Sequence, residues 1–189
     1  SCTLCDLCSQ VCPNNFSMAD LCLSARQEMV RDEKMPASAH EFALSQMDHA
    51  MGDACFFARH QPDTDRSDRL FFPGCQLTGS SPDQVKTVYE WLTATLDGST
   101  GLVSGCCGAP AFWAGRQEAF EKAASDFKTL WEAWGRPKII TGCTSCASML
   151  DKVLDNAVTS SLYTEIENTG TDLPACDVTG AFAIAAPCT

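Results

Sequence analysis

Positive charge and histidine are scarce in this 189-residue chain: Lys+Arg 13 stand against Asp+Glu 24, a net charge of −11, with only 3 histidines. Such a balance repels phosphate backbones and anionic membrane surfaces, so nucleic acid is not an expected partner. No run approaches the roughly 18 apolar residues of a spanning helix, and no basic start followed by an apolar stretch reads as a secretory signal. The expectation is a soluble, cytoplasmic protein with no direct membrane span, membrane-associated only through a partner or a further segment. Disorder is excluded as well, because 45% hydrophobic and 20% charged residues, with 10 Phe and 4 Trp, supply a globular core. The length suits one ordinary domain, or a small domain attached to a larger one.

Cysteine is the residue in excess, at 13. The number is odd, the placement uneven, and the adjacent pair Cys106-Cys107 does not serve a simple disulfide framework. In a reducing compartment such spacing reads as metal or cluster ligation.

The run Cys2-x-x-Cys5-x-x-Cys8-x-x-x-Cys12-Pro13 opens the chain, and a helix is expected from about Ser17. Its apolar stripe is Met18, Leu21, Cys22, Ala25 and Met29, with Arg26, Arg31, Asp32 and Glu33 on the far side and Pro36 as its stop. Ser38 and Glu41 have capping-box spacing for a second helix, with Ala43, Met47, Ala50 and Met51 inward and Gly52 near its end. Residues 60–69 are polar and without period, so a linker is placed there between a segment 1–59 and a domain 70–181.

From Leu70 onward short apolar runs alternate with helical patterns, the mark of βαβ units and a parallel sheet. Leu70-Phe71-Phe72, Leu102-Val103, Lys138-Ile139-Ile140-Thr141 and Phe182-Ala183-Ile184-Ala185 are the expected strands. Helices are expected after Ser81-Pro82, with Val85, Val88, Leu92 and Leu96 inward, from Gln117 to Trp134, and from 145 to about 155. Residues 156–180 read as loop-rich.

On this map Cys75 follows the first strand, Cys106 and Cys107 the second, Cys143 the third and Cys188 the fourth. In an open parallel sheet the carboxyl ends share one edge, so the order of elements alone gathers these cysteines. Cys146, one turn into the next helix, points back into the same crevice. Five thiolates exceed the four of a tetrahedral zinc and suit an iron–sulfur centre, with structural zinc on four of them as the alternative. The N-terminal run has the spacing of a bacterial ferredoxin motif, three close thiolates around one 4Fe-4S cube and a proline after the fourth. That fourth cysteine can serve a second cluster, so Cys12, Cys22 or Cys55 completes the cube, or a twin motif precedes Ser1. Cys22, in the helix stripe, reads first as a small buried hydrophobe. Cys55 and Cys176 carry no preference, and His40, His49 and His60 read as surface histidines.

Phe72-Pro73-Gly74-Cys75, Gly105-Cys106-Cys107-Gly108-Ala109-Pro110 and Gly142-Cys143-Thr144-Ser145-Cys146 resemble the cysteine-rich CCG domain of the heterodisulfide reductase family. Iron–sulfur subunits of glycolate, lactate and anaerobic glycerol-3-phosphate oxidation share that domain. The resemblance implies an α/β CCG domain with a short parallel sheet and flanking helices, preceded by a small α-helical ferredoxin-like segment. It implies that Cys75, Cys106, Cys107, Cys143 and Cys146 ligate a non-cubane 4Fe-4S cluster and act at the catalytic site. Cys2, Cys5 and Cys8, with Cys12, would hold a cubane 4Fe-4S cluster. Pro187-Cys188 looks like the opening of a second CCG domain at 182–189. The implied function is an electron-transfer subunit of an anaerobic oxidoreductase complex, with flavoprotein or iron–sulfur partner subunits and a disulfide as possible substrate. A zinc-bearing docking module with a single redox-active cluster is the alternative.

Overall fold

The computed structural model describes residues 2–14 and 16–171. The expected strand at Phe182–Ala185, the second CCG opening, Cys176 and Cys188 lie outside the described residues.

Three helices come first: α1 (Leu7–Val11), α2 (Met18–Arg31) and α3 (Glu41–Met51). Ser17 caps α2, its hydroxyl accepting the Asp20 amide at 3.1 Å. The expected face of α2 is corrected. Met18, Leu21, Ala25 and Met29 are exposed, whereas Ala19, Cys22, Leu23, Arg26 and Gln27 are half-buried, so the packed face includes the arginine assigned to the charged side. The capping box at Ser38 is also corrected. A turn closed by the Ala39 amide on the Pro36 carbonyl (2.9 Å) occupies Ser38, and the cap of α3 falls to His40 in a left-handed conformation. Met47 is buried, with Ala43, Ala50 and Met51 half-buried beside it, as the periodicity predicts.

The sheet follows, with β1 (Phe57–Arg59), β2 (Arg69–Phe72), β3 (Thr100–Ser104), β4 (Lys138–Thr141) and β5 (Thr159–Ser161) in the order β1-β3-β2-β4-β5. β3, β2, β4 and β5 pair in parallel, and β1 closes the β3 edge antiparallel. β1 and β5 were not expected: β1 lies ahead of the polar stretch 60–69, and β5 lies in residues read as loop. That polar stretch is docked on the sheet. Gln61 Oε1 accepts the Thr100 amide at 3.0 Å, and Ser67 is buried. His60, expected on the surface, stacks on Trp134 with ring centroids 4.1 Å apart and bonds Ser67 Oγ at 2.8 Å.

The crossovers are helical: α4 (Cys75–Ser80) and α5 (Pro82–Thr95) after β2, α6 (Ala109–Trp113) and α7 (Gln117–Ala133) after β3, and α8 (Thr144–Val153) after β4. A last helix, α9 (Leu162–Asn168), follows β5. Ser81 precedes α5 through its carbonyl rather than its side chain, accepting the Gln84 and Val85 amides at 3.0 and 3.2 Å. Because strand side chains alternate, Phe71 and Ile140 face Val85, Leu92 and Leu162 on one side. Leu70, Phe72, Val103 and Ile139 face Met47, Phe127, Trp131 and Leu150 on the other. Both faces of the parallel strands are therefore covered, as a sheet of this kind requires.

Candidate metal and redox centre

β2, β3 and β4 end on one edge of the sheet, and their cysteines meet there. Gly74, at φ +87°, turns the chain out of β2 and makes Cys75 the first residue of α4. Cys106 and Cys107 follow β3, with Gly108 at φ +83° leading into α6. Cys143 is the N-cap of α8, and Cys146 lies in its first turn. Cys106, Cys107 and Cys146 are buried; Cys75 and Cys143 are partly exposed.

The five sulfurs form one continuous series of contacts. Cys75 Sγ donates to Cys106 Sγ at 3.6 Å. Cys106 contacts Cys107, Cys107 contacts Cys146, and Cys146 contacts Cys143. Protons are unevenly shared along this series. Hydrogen bonds from Cys106 and Cys146 draw Cys107 down to about 4, against its own burial. Cys146 likewise lowers Cys143 to about 5, and the amides of Cys146 and Ser145 at the start of α8 add to this. The donors move the other way. Cys106 is pushed up to about 12 by Cys107, Cys75 is raised by Cys106 and by burial, and Cys146 is raised by Cys107 and Cys143. Two thiolates held by three thiols are a set of soft ligands whose loading must release protons. Met51, which sequence reasoning placed only in the core, supports this edge: its Sδ accepts the Cys106 amide at 3.2 Å.

The N-terminal cysteines sit on a tightly curled loop. Leu4 and Asp6, on either side of Cys5, adopt left-handed conformations at φ 60° and 57°. That region costs an ordinary residue such as leucine about 1–2 kcal/mol. Alternating left-handed residues turn successive amides inward into a concavity suited to anionic sulfur. The Cys2 sulfur accepts the Leu4 amide at 3.3 Å, and the amides of Phe16 and Asn14 lower the Cys12 thiol. Cys22, half-buried on α2, meets this loop through a hydrogen bond with Cys2, and burial and that bond raise its thiol. Cys8 is exposed on α1. Cys55 lies elsewhere, its sulfur 3.3 Å from His49 Nε2.

Among the described residues no three or more His, Cys, Asp or Glu side chains surround a single metal-ion position. The donor sets nonetheless fit soft metal chemistry. One is a continuous series of five thiols on glycine-flanked turns, and the other is a curled, amide-lined loop carrying closely spaced cysteines. Among the described residues no helix is long and apolar enough to cross a membrane.

No curated protein and no solved structure shows a significant match to the chain. Residues 69–151 match the family model of the CCG cysteine-rich domain, a span that runs from the start of β2 into α8 and includes all five contacting cysteines, and this match points to a redox role of iron–sulfur type.

Proposed function

We propose that this chain is an iron–sulfur electron-transfer subunit of a heterodisulfide reductase-like oxidoreductase. It relays electrons from a cubane 4Fe-4S cluster on the N-terminal loop to a non-cubane 4Fe-4S cluster in the CCG domain, where a disulfide is reduced or the electrons pass on. The observation that carries this reading is the unbroken series of five sulfurs contributed by three strand ends. When bound, the clusters supply one-electron redox chemistry whose potential the surrounding scaffold tunes.

The chain's own residues prepare both sites. Cys107 and Cys143 stand ready as thiolates, while Cys75, Cys106 and Cys146 hold protons until ligation displaces them. Burial of Cys106, Cys107 and Cys146 keeps water from the inner side of the site. Cys2, Cys5 and Cys8, with Cys12, hold the N-terminal cluster, and the amides of Phe16 and Asn14 favour the Cys12 thiolate. Reduction of a disulfide takes two electrons from a redox partner and two protons, breaks the S–S bond and leaves two thiols. The electrons come from a flavoprotein or iron–sulfur subunit, and the net charge of −11 suits a cationic face on that partner.

One distance favours a second reading. Thiolates on a tetrahedral zinc with Zn–S bonds of about 2.3 Å stand about 3.8 Å apart. The 3.6 Å between Cys75 and Cys106 is close to that spacing. Iron, acid-labile sulfide and zinc counted on anaerobically purified protein separate the two. About eight irons per chain support the relay. About four irons and one zinc leave a single redox centre, and the CCG domain is then a docking scaffold.

A further inference from the structure

The N-terminal cysteine loop and the sheet edge are joined by a side chain that neither set of cysteines requires. Arg26, on the packed face of α2, donates from Nη2 to the Cys2 carbonyl at 2.5 Å and from Nη1 to the Trp113 carbonyl at 2.6 Å. The first acceptor is in the cysteine loop, and the second ends α6, the helix that leads away from Cys106 and Cys107. We propose that Arg26 is a positioning residue that latches the N-terminal cysteine loop onto the CCG domain and fixes the separation of the two cysteine sites. The latch stands on contacts alone; its consequence for coupling between the sites rests on the relay reading.

Two further observations support it independently. Gly115, at φ +74° just after α6, lets the α2 backbone come so close that a β-carbon there would stand 2.7 Å from the Arg26 carbonyl carbon and the Gln27 nitrogen. The loop, the end of α6 and α8 also share a cavity of about 170 Å³, lined by Cys5 and Asp6 from the loop, Trp113 from α6, and Ser145, Ser148 and Lys152 along α8. The cysteine loop thus faces α8, whose first turn carries Cys146, across one small gap, and Arg26 ties that loop to Trp113, which also lines the gap. A single guanidinium satisfying two carbonyls across 24 and 87 residues of sequence is a connection that an ammonium does not reproduce.

The test compares the full chain with Arg26→Ala and Arg26→Lys, using Gln27→Ala, which loses only a 2.9 Å bond to Gln117, as a control. Hydrogen exchange is followed by mass spectrometry in the peptide 2–14, and the magnetic interaction between the reduced centres by EPR. Arg26→Ala is expected to raise exchange in that peptide about tenfold and to weaken the magnetic interaction, with iron content unchanged. Arg26→Lys is expected to recover less than half of either effect, and the control to change neither. Unchanged exchange in Arg26→Ala overturns the latch. Faster exchange with an undiminished magnetic interaction overturns the claim that the latch fixes the separation. A wild-type spectrum showing one centre only, with exchange still faster in Arg26→Ala, overturns the relay reading and leaves the latch standing. Should Arg26→Ala not fold, Gly115→Ala loosens the same contact from the opposite side and is expected to raise exchange in the same peptide.

Discussion

A β-carbon placed on Gly74 would lie 3.0 Å from Cys146 Sγ, which puts the end of β2 in direct contact with the first turn of α8. The same carbon would lie 3.3 Å from Cys143 Cβ. This glycine therefore serves two needs. Its backbone, at φ +87° and ψ 154°, lies in a region that is nearly glycine-only, and its missing side chain leaves the room in which three strand ends bring their sulfurs together.

Gly74→Ala is accordingly expected to cost about 1–3 kcal/mol of stability from the backbone alone. It should also displace the Cys146 sulfur and lower metal content in the CCG domain more than in the N-terminal loop. Chemical denaturation and metal counts per chain measure the two effects. An alanine variant with wild-type metal content would show that Cys146 does not need its present place. Gly135→Ala is a useful comparison, because it shares a positive φ of 81° but meets no atom within 4 Å. It should cost stability and leave metal content unchanged.

The proton arrangement among the sulfurs makes a second prediction. In metal-free protein Cys143, lowered to about 5 and partly exposed, is ionised at neutral pH while its neighbour Cys75 is not. Its alkylation by iodoacetamide should therefore be fast and nearly independent of pH between about pH 6 and 8. Cys75 should react slowly throughout. Cys146→Ala removes the main hydrogen-bond donor to Cys143, so the Cys143 thiol rises toward its ordinary 9.0 and its alkylation at the acid end slows while becoming pH-dependent. Peptide mass spectrometry after timed quenching reads each site separately. Equal rates at Cys75 and Cys143 would contradict the arrangement.

Much of the sheet edge is legible in the sequence because it depends on order alone. Lys138–Thr141 is the expected strand residue for residue, and the expected strands at Leu70 and Leu102 differ from β2 and β3 only in their ends. Parallel pairing then brings Cys75, Cys106, Cys107, Cys143 and Cys146 to one edge with no knowledge of side-chain detail. What escaped the sequence depends on tertiary contact. β1 and β5 are three residues each, too short for an alternating pattern, and exist by pairing with β3 and β4. In α2 a one-residue rotation of the packed face decides whether Arg26 meets water or the CCG domain, and apolar periodicity does not resolve that where the helix has no fully buried residue. Cys22 beside Cys2, and Met51 beneath Cys106, are contacts between segments whose separation in sequence carries no signal. The spacing of Cys2, Cys5, Cys8 and Cys12 announces ligation, whereas the left-handed turns at Leu4 and Asp6 that curl the loop have no glycine to announce them.

The far edge of the sheet supplies a pH dependence that does not involve the cysteines. Glu165 of α9 is buried, and Lys138 at the start of β4 approaches its carboxylate at 2.6 Å. Burial raises the carboxyl, but Lys138, together with Ser160 and the Arg69 charge, more than offsets this, so its pKa lies below the ordinary 4.5. A carboxyl depressed in the folded state binds fewer protons there than in the unfolded chain, so it adds stability above about pH 4.5 and loses that contribution as pH falls through the folded value. Asp68, lowered by the Ser99 amide and hydroxyl, titrates in the same direction, so the wild type alone does not isolate the pair. Lys138→Met does. It leaves a buried carboxylate without its partner, which should cost about 3 kcal/mol near pH 7, the low end for a broken buried pair because the lysine is one-third exposed. With the ammonium gone the Glu165 pKa rises toward its unfolded value, so the variant gives up less stability than the wild type on acidification. Urea midpoints for wild type and Lys138→Met between about pH 7 and pH 4 should therefore converge as the pH falls. Parallel curves would mean that the pair contributes through packing and not through charge.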